Sequence, residues 1–141
     1  MDESPQKNLV HSPEFDRQWE FVSPRPALSP SNSVAGTSLV IEGNGDRLAF
    51  GCWRGKVDLD IGKWYRASVE VRFNDIERPS LSIFAQVAKH FLVPTERQAT
   101  RMIMAQTFKH GKDDDGNDIE FYFRASPGGR VEWSRPRVVE I

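Results

Sequence analysis

The chain has 141 residues, with 19 Lys and Arg against 20 Asp and Glu, a formal net charge of −1 and 38% hydrophobic residues. That length is about one domain and can bury a core without staples, while the balanced charge provides no global field to attract nucleic acid or an anionic membrane. The single cysteine, Cys52, excludes an intramolecular disulfide and a thiolate metal cluster.

In chain order, residues 1–8 read as a flexible tail without the charged-then-apolar layout of a signal peptide, and residues 9–141 read as a single domain. No apolar run approaches the roughly 18 residues of a membrane span. Pro24, Pro26 and Pro30, among the serines from Ser23 to Ser38, predict an irregular connection or a sheet edge, because proline cannot donate to a ladder. Strands are then expected over 37–42, 48–53, 65–73, 81–87, 102–108, 119–125 and 130–133. The pattern is strongest after the Gly62-Lys63 turn. Tyr65, Ala67, Val69, Val71 and Phe73 alternate with Trp64, Arg66, Ser68, Glu70 and Arg72, the period-2 signature of a half-buried antiparallel strand.

Further along, Leu81, Ile83, Ala85 and Val87 are expected to point inward, with Ser82, Phe84 and Gln86 outward. Residues 95–104 read as a loop with at most one helical turn. Ile119, Phe121 and Phe123 alternate inward against Glu120, Tyr122 and Arg124. The Asp-rich run 112–118 and Pro127-Gly128-Gly129 supply hairpin chemistry. The strand-like end, Val138 to Ile141, leads us to expect a module of a larger protein. Seven or eight short strands in this rhythm predict an all-β fold, a two-sheet antiparallel β-sandwich of jelly-roll type. Its core would hold Tyr65, Val69, Val71, Ile83, Phe121, Phe123 and Trp133.

Four stretches carry a resemblance. Asn8-Leu9-Val10 with Phe15-Asp16 and Trp19, Thr37-Ser38-Leu39-Val40-Ile41, Asp60-Ile61-Gly62-Lys63-Trp64-Tyr65-Arg66-Ala67-Ser68 and Gly129-Arg130-Val131-Glu132-Trp133 resemble carbohydrate-binding modules of the galactose-binding-like jelly-roll superfamily. The resemblance runs from about residue 8 to 141. It implies a module accessory to a carbohydrate-active enzyme, an oligo- or polysaccharide as partner, a covalently attached catalytic domain, and an extracellular setting where that enzyme is secreted. It also implies a structural calcium held by a carboxylate near the first strand, here Asp16 or Glu14, and an aspartate in the last. At the last strand this chain has Glu132, Trp133 and Ser134 instead, with Glu140 as the nearby substitute, so no cofactor is expected. Members of the superfamily also serve as spacers or protein-interaction domains that bind no sugar, and that is the alternative reading.

A sugar site needs an aromatic platform for the apolar sugar face and planar hydrogen-bonding groups for the hydroxyls. If strand 65–73 neighbours 81–87 and 119–125, one face carries Arg66, Phe84, Gln86, Tyr122 and Arg124. Trp53 and Arg54, held between Gly51 and Gly55, would stand at its edge. These seven are the expected ligand-binding residues, whereas Trp19, Trp64 and Trp133 read as packing residues and Cys52 as a small buried hydrophobe. The spacing of Asp113 to Asp118 fails an EF-hand loop, and His11, His90 and His110 lack zinc-ligand spacing. No phosphate loop or Gly-x-Ser-x-Gly elbow appears, and the chain reads as non-enzymatic, binding neither nucleic acid nor membrane.

Overall fold

Alternation of apolar and polar residues in so many short segments must be resolved by two sheets burying one face each against the other. The computed structural model has this form and describes residues 8–10, 19–22, 29–32, 38–43, 45, 50–111, 118–124 and 128–141. Its strands are β1 (Glu20–Val22), β2 (Ser29–Asn32), β3 (Ser38–Glu42), β4 (Phe50–Lys56), β5 (Trp64–Asn74), β6 (Ile83–Val87), β7 (His90–Phe91), β8 (Val93–Arg97), β9 (Arg101–Lys109), β10 (Asp118–Arg124) and β11 (Arg130–Glu140). A five-stranded sheet runs in the order β1-β4-β10-β6-β7 and a six-stranded sheet in the order β2-β3-β11-β5-β9-β8. All described strand pairs are antiparallel. The fold is the expected all-β sandwich.

The seven expected core residues are all buried. Across the interior, the ring of Trp19 stacks on Phe121 at 5.2 Å and Phe121 stacks on Trp133 at 5.8 Å, so one aromatic column ties the two sheets together. Gly55 makes the column possible: a Cβ there would lie 2.9 Å from the Trp19 ring. Asn8, which the sequence reading puts at the end of the tail, is held to the last strand. Its Nδ2 donates to Pro136 O at 3.1 Å and its Oδ1 accepts from Val138 N at 3.0 Å.

Several local readings need correction. Residues 95–104 are not a loop, since β8 and β9 form a hairpin there, closed by Gln98 N–H donating to Arg101 O at 2.7 Å. All of 93–97 is exposed, so β8 carries no alternation for the sequence to reveal. The strand expected from residue 81 starts at Ile83, because Pro79 opens a helical turn, α1 (Pro79–Ser82), that leaves Leu81 52% exposed and buries Ser82. Trp64 is half exposed rather than packed. The strand 130–133 and the terminal strand-like stretch are one continuous β11, interrupted by a bulge between Ser134 and Arg137. The bulge absorbs Pro136, which has no N–H for a ladder, and sets Arg135 at φ 51°. Pro30 sits in β2, the edge strand of the six-stranded sheet, where a missing donor is tolerated. Glu14, Asp16, residues 1–7 and the Asp-rich turn 112–117 lie outside the described residues.

Candidate ligand-binding face of the five-stranded sheet

The register of β4, β10 and β6 decides which side chains share the outer face of this sheet. Tyr122 pairs with Cys52 on one side and Phe84 on the other, and Glu120 pairs with Arg54 and Gln86. Phe91 on β7 lies opposite Gln86 and extends that row to the sheet edge. Alternation therefore brings Arg54, Glu120, Gln86 and Phe91 into one row and Cys52, Tyr122 and Phe84 into the next.

Glu120 organises the face. Its Oε2 accepts from Arg54 Nε at 3.2 Å, from Arg54 Nη2 at 3.0 Å and from the Tyr122 hydroxyl at 2.7 Å, while Oε1 accepts from Gln86 Nε2 at 2.7 Å. With its side chain only 12% exposed, this carboxylate fixes three neighbouring polar side chains in single orientations. The hydrogen bond to Glu120 raises the Arg54 guanidinium further above its already high ordinary pKa, so it stays a cation. Burial and the bond to Glu120 raise the Tyr122 hydroxyl well above the usual phenol range, so it remains a donor. Burial, reinforced by the Glu120 charge, pushes the Cys52 thiol up to about 12. Cys52 is thus an inert buried thiol, not a nucleophile.

Beside this network lies a cleft of about 310 Å³ lined by Phe84, Gln86, Phe91, Tyr122 and Arg124. The Arg124 guanidinium stacks over the Phe84 ring, 4.4 Å from its centroid, a cation–π contact that holds a planar set of donors at the cleft wall. Phe91 is 59% exposed and offers a bare aromatic surface. A second, apolar hollow of about 290 Å³ shares Phe84 and Phe91 and continues inward to Met102 and Met104 of the opposite sheet.

Five of the seven expected ligand-binding residues, Arg54, Phe84, Gln86, Tyr122 and Arg124, come together on this face. Trp53 does not: it points into the sandwich, is buried, donates its Nε1 hydrogen to Val40 O at 3.2 Å and packs edge-on against Phe21. Neither does Arg66, because β5 belongs to the other sheet, where Arg66 Nη1 donates to Thr107 Oγ1. Phe91 and Glu120 are central to the site, yet the candidate set contains neither. Glu120 was readable from its outward register between Phe121 and Ile119, whereas nothing in the dipeptide His90-Phe91 announces a strand. Among the described residues there is no group of three His, Cys, Asp or Glu able to hold a metal ion. Glu140, the substitute considered for a calcium ligand, is bound by Lys63 Nζ at 3.2 Å. Among the described residues no helix is long and apolar enough to cross a membrane.

No protein-family model matches the sequence, and no curated protein matches it. Solved structures are similar in fold. The enzymatically active domain of tailspike protein 4 from bacteriophage CBA120 superimposes with a TM-score of 0.64 at 12% identity, over 95% of this chain. This chain spans only 21% of that tailspike chain. A CBM4 module gives a TM-score of 0.57 at 13% identity over 87% of this chain and 86% of its own. TmCBM61, solved in complex with β-1,4-galactotriose, gives 0.53 at 9% identity over 96% and 99%. The chain has the jelly-roll β-sandwich fold of carbohydrate-binding modules.

Proposed function

We propose that the chain is a non-catalytic module that binds an oligo- or polysaccharide in the cleft on the outer face of its five-stranded sheet. The observation that carries this reading is the Glu120 network, which fixes donors and acceptors beside exposed aromatic surface. A pyranose ring presents an apolar C–H face and a rim of hydroxyls. Phe91 and Tyr122 would take the first, and Gln86, Arg124 and Arg54 the second. Because Glu120 and the Arg124–Phe84 stack already hold these groups, little side-chain entropy is lost on binding. A shallow cleft still competes with water for every hydroxyl, so micromolar to millimolar affinity is expected, about −4 to −8 kcal/mol.

A binding role is favoured over catalysis by the state of the titratable groups. Glu120 is held by donors on both oxygens, and the Cys52 thiol is protonated and buried. Among the described residues the cleft lining holds no carboxylate, and Glu70 lies on the opposite sheet, so the paired carboxylates of a glycoside hydrolase are not brought together there. We further take residues 9–141 as one module of a larger carbohydrate-active protein, with 1–8 as a tail and an extracellular location if that protein is secreted. The fold's occurrence within a much longer tailspike chain supports the modular part of this reading.

The test is calorimetric titration with β-1,4-galactotriose, other neutral oligosaccharides and uronic-acid oligosaccharides into wild type, Phe91→Ala and Tyr122→Ala, with folding checked by circular dichroism. Binding of neutral oligosaccharides that weakens in both folded variants is expected. Absence of binding across the panel would favour a structural or protein-interaction domain instead.

A further inference from the structure

The outer face of the six-stranded sheet carries a different chemistry. There Glu70, with a side chain only 8% exposed, is met by three guanidiniums: Arg101 Nε donates at 2.6 Å, Arg72 approaches to 3.5 Å and Arg135 to 3.6 Å. One guanidinium would satisfy a carboxylate, and each carries five donors, so the cluster holds more positive charge and more donors than Glu70 can use. Arg135 reaches it from the β11 bulge at φ 51°, a left-handed conformation that a non-glycine residue adopts only where the surroundings compel it. The bulge that absorbs Pro136 thus also brings a third cation beside the same carboxylate.

Next to this cluster is a hollow of about 440 Å³ lined by Arg72, Arg101 and Arg130 together with the neutral hydrogen-bonding side chains of Asn74, Gln98 and Thr100. Among the described residues its lining includes one carboxylate, Glu132, which already accepts from Ser38 Oγ at 2.7 Å and from Arg130 Nη1 at 3.3 Å. The rim is fixed by Phe73 N–H donating to Thr100 O and Gln98 N–H donating to Arg101 O.

We infer that this hollow is an anion site for an acidic sugar unit, with a carboxylate or sulfate-ester group seated between Arg72, Arg101 and Arg130 and its hydroxyls reaching Asn74, Gln98 and Thr100. Arg130 is also paired with Glu42 at 3.3 Å, so the surplus lies with Arg72, Arg101 and Arg135, which share the single carboxylate of Glu70; an anion in the hollow would add a counter-charge to that cluster. Nucleic acid fits less well. The aromatic of the lining, Phe73, is buried and offers no stacking surface, and the formal net charge of −1 provides no field to attract an extended polyanion. The site lies on the opposite sheet from the cleft, and the choice of a sugar as its ligand rests on the proposed carbohydrate-binding function.

The experiment is calorimetric titration of trigalacturonate, a sulfated galactose oligosaccharide, neutral galactotriose, inorganic sulfate and a thymidine oligonucleotide into wild type, Arg72→Gln/Arg130→Gln and Tyr122→Ala. Neither Arg72 nor Arg130 is the hydrogen-bonding partner of Glu70, so the double variant is expected to fold. At least one acidic sugar should bind wild type, more weakly at higher salt, and which of the two binds identifies the anionic group. The Arg72→Gln/Arg130→Gln variant should lose about tenfold or more in affinity for it, a decade corresponding to about 1.4 kcal/mol, while Tyr122→Ala leaves that binding unchanged. The inference is overturned if no acidic sugar binds at millimolar concentration, if the double variant binds as well as wild type, or if inorganic sulfate or the oligonucleotide binds as tightly as the sugar.

Discussion

Replacing Glu120 by alanine removes the acceptor that orients the proposed binding face. The lost contacts are two guanidinium donors from Arg54, the Tyr122 hydroxyl and the Gln86 amide, at 2.7 to 3.2 Å. Arg54 has a side chain 38% exposed, so its pair with Glu120 is screened and worth no more than about 1 kcal/mol. Tyr122 and Gln86 are half-buried, and each should contribute about 1 to 1.5 kcal/mol through its hydrogen bond. The sum predicts a loss of about 2 to 4 kcal/mol, large for a domain whose whole stability is about 5 to 15 kcal/mol. Urea unfolding followed by tryptophan fluorescence reads this directly. Tyr122→Phe should cost about 1 kcal/mol alone and almost nothing once Glu120 is alanine, giving a coupling of about 1 kcal/mol in the double-mutant cycle. A Glu120→Ala cost below about 0.5 kcal/mol, or strictly additive variants, would refute the idea that Glu120 organises the face.

Three further outcomes are expected. Gly55→Ala should destabilise by about 1 to 3 kcal/mol, because the new methyl would meet a Trp19 ring pinned against Phe121, and thermal melting checks it. Cys52, its thiol raised to about 12, should resist iodoacetamide at pH 8 in the native state and react promptly in urea; native-state alkylation as fast as that of a free thiol would contradict its burial. Glu70 is held below its ordinary value of 4.5, first by the hydrogen bond from Arg101, so its stabilising contribution is complete above that value and fades as pH falls through the lower folded-state pKa. The acid-side loss of melting temperature below about pH 5 should accordingly be shallower in Glu70→Gln than in wild type.

What the sequence made legible follows from which physical signals are local. The alternation in β5, β6 and β10 is a local signal, and it correctly sorts Tyr65, Ile83 and Phe121 inward from Gln86 and Tyr122 outward. Sheet membership is not local. Arg66 and Tyr122 have equivalent outward registers in their own strands, and only the pairing of β5 with β9 and β11 assigns Arg66 to the other layer. Trp53 misled because its neighbours Gly51 and Gly55 carry no side chain to report a face, leaving the register of β4 open until β10 pairs with it. Phe91 escaped for a different reason. The β6–β7 turn sets Ala88 and Lys89 at φ 49° and 69°, conformations that a hairpin turn usually assigns to Asn and Gly, so no turn signature marks the hairpin that carries Phe91 to the cleft. The arginine-lined hollow is just as non-local: its arginines come from β5, β9 and β11, and Arg135 beyond it faces Glu70 only because a bulge shifts the register.

The central claim, that the outer face of the five-stranded sheet binds glycan, is tested most directly by NMR titration of the ¹⁵N-labelled domain with β-1,4-galactotriose and with whichever other neutral oligosaccharide binds best by calorimetry. The account predicts saturable amide and side-chain shifts at Phe84, Gln86, Phe91, Tyr122 and Arg124, with the Arg54 guanidinium following them. Shifts confined to other surfaces, or none with any neutral glycan at millimolar concentration, would contradict it.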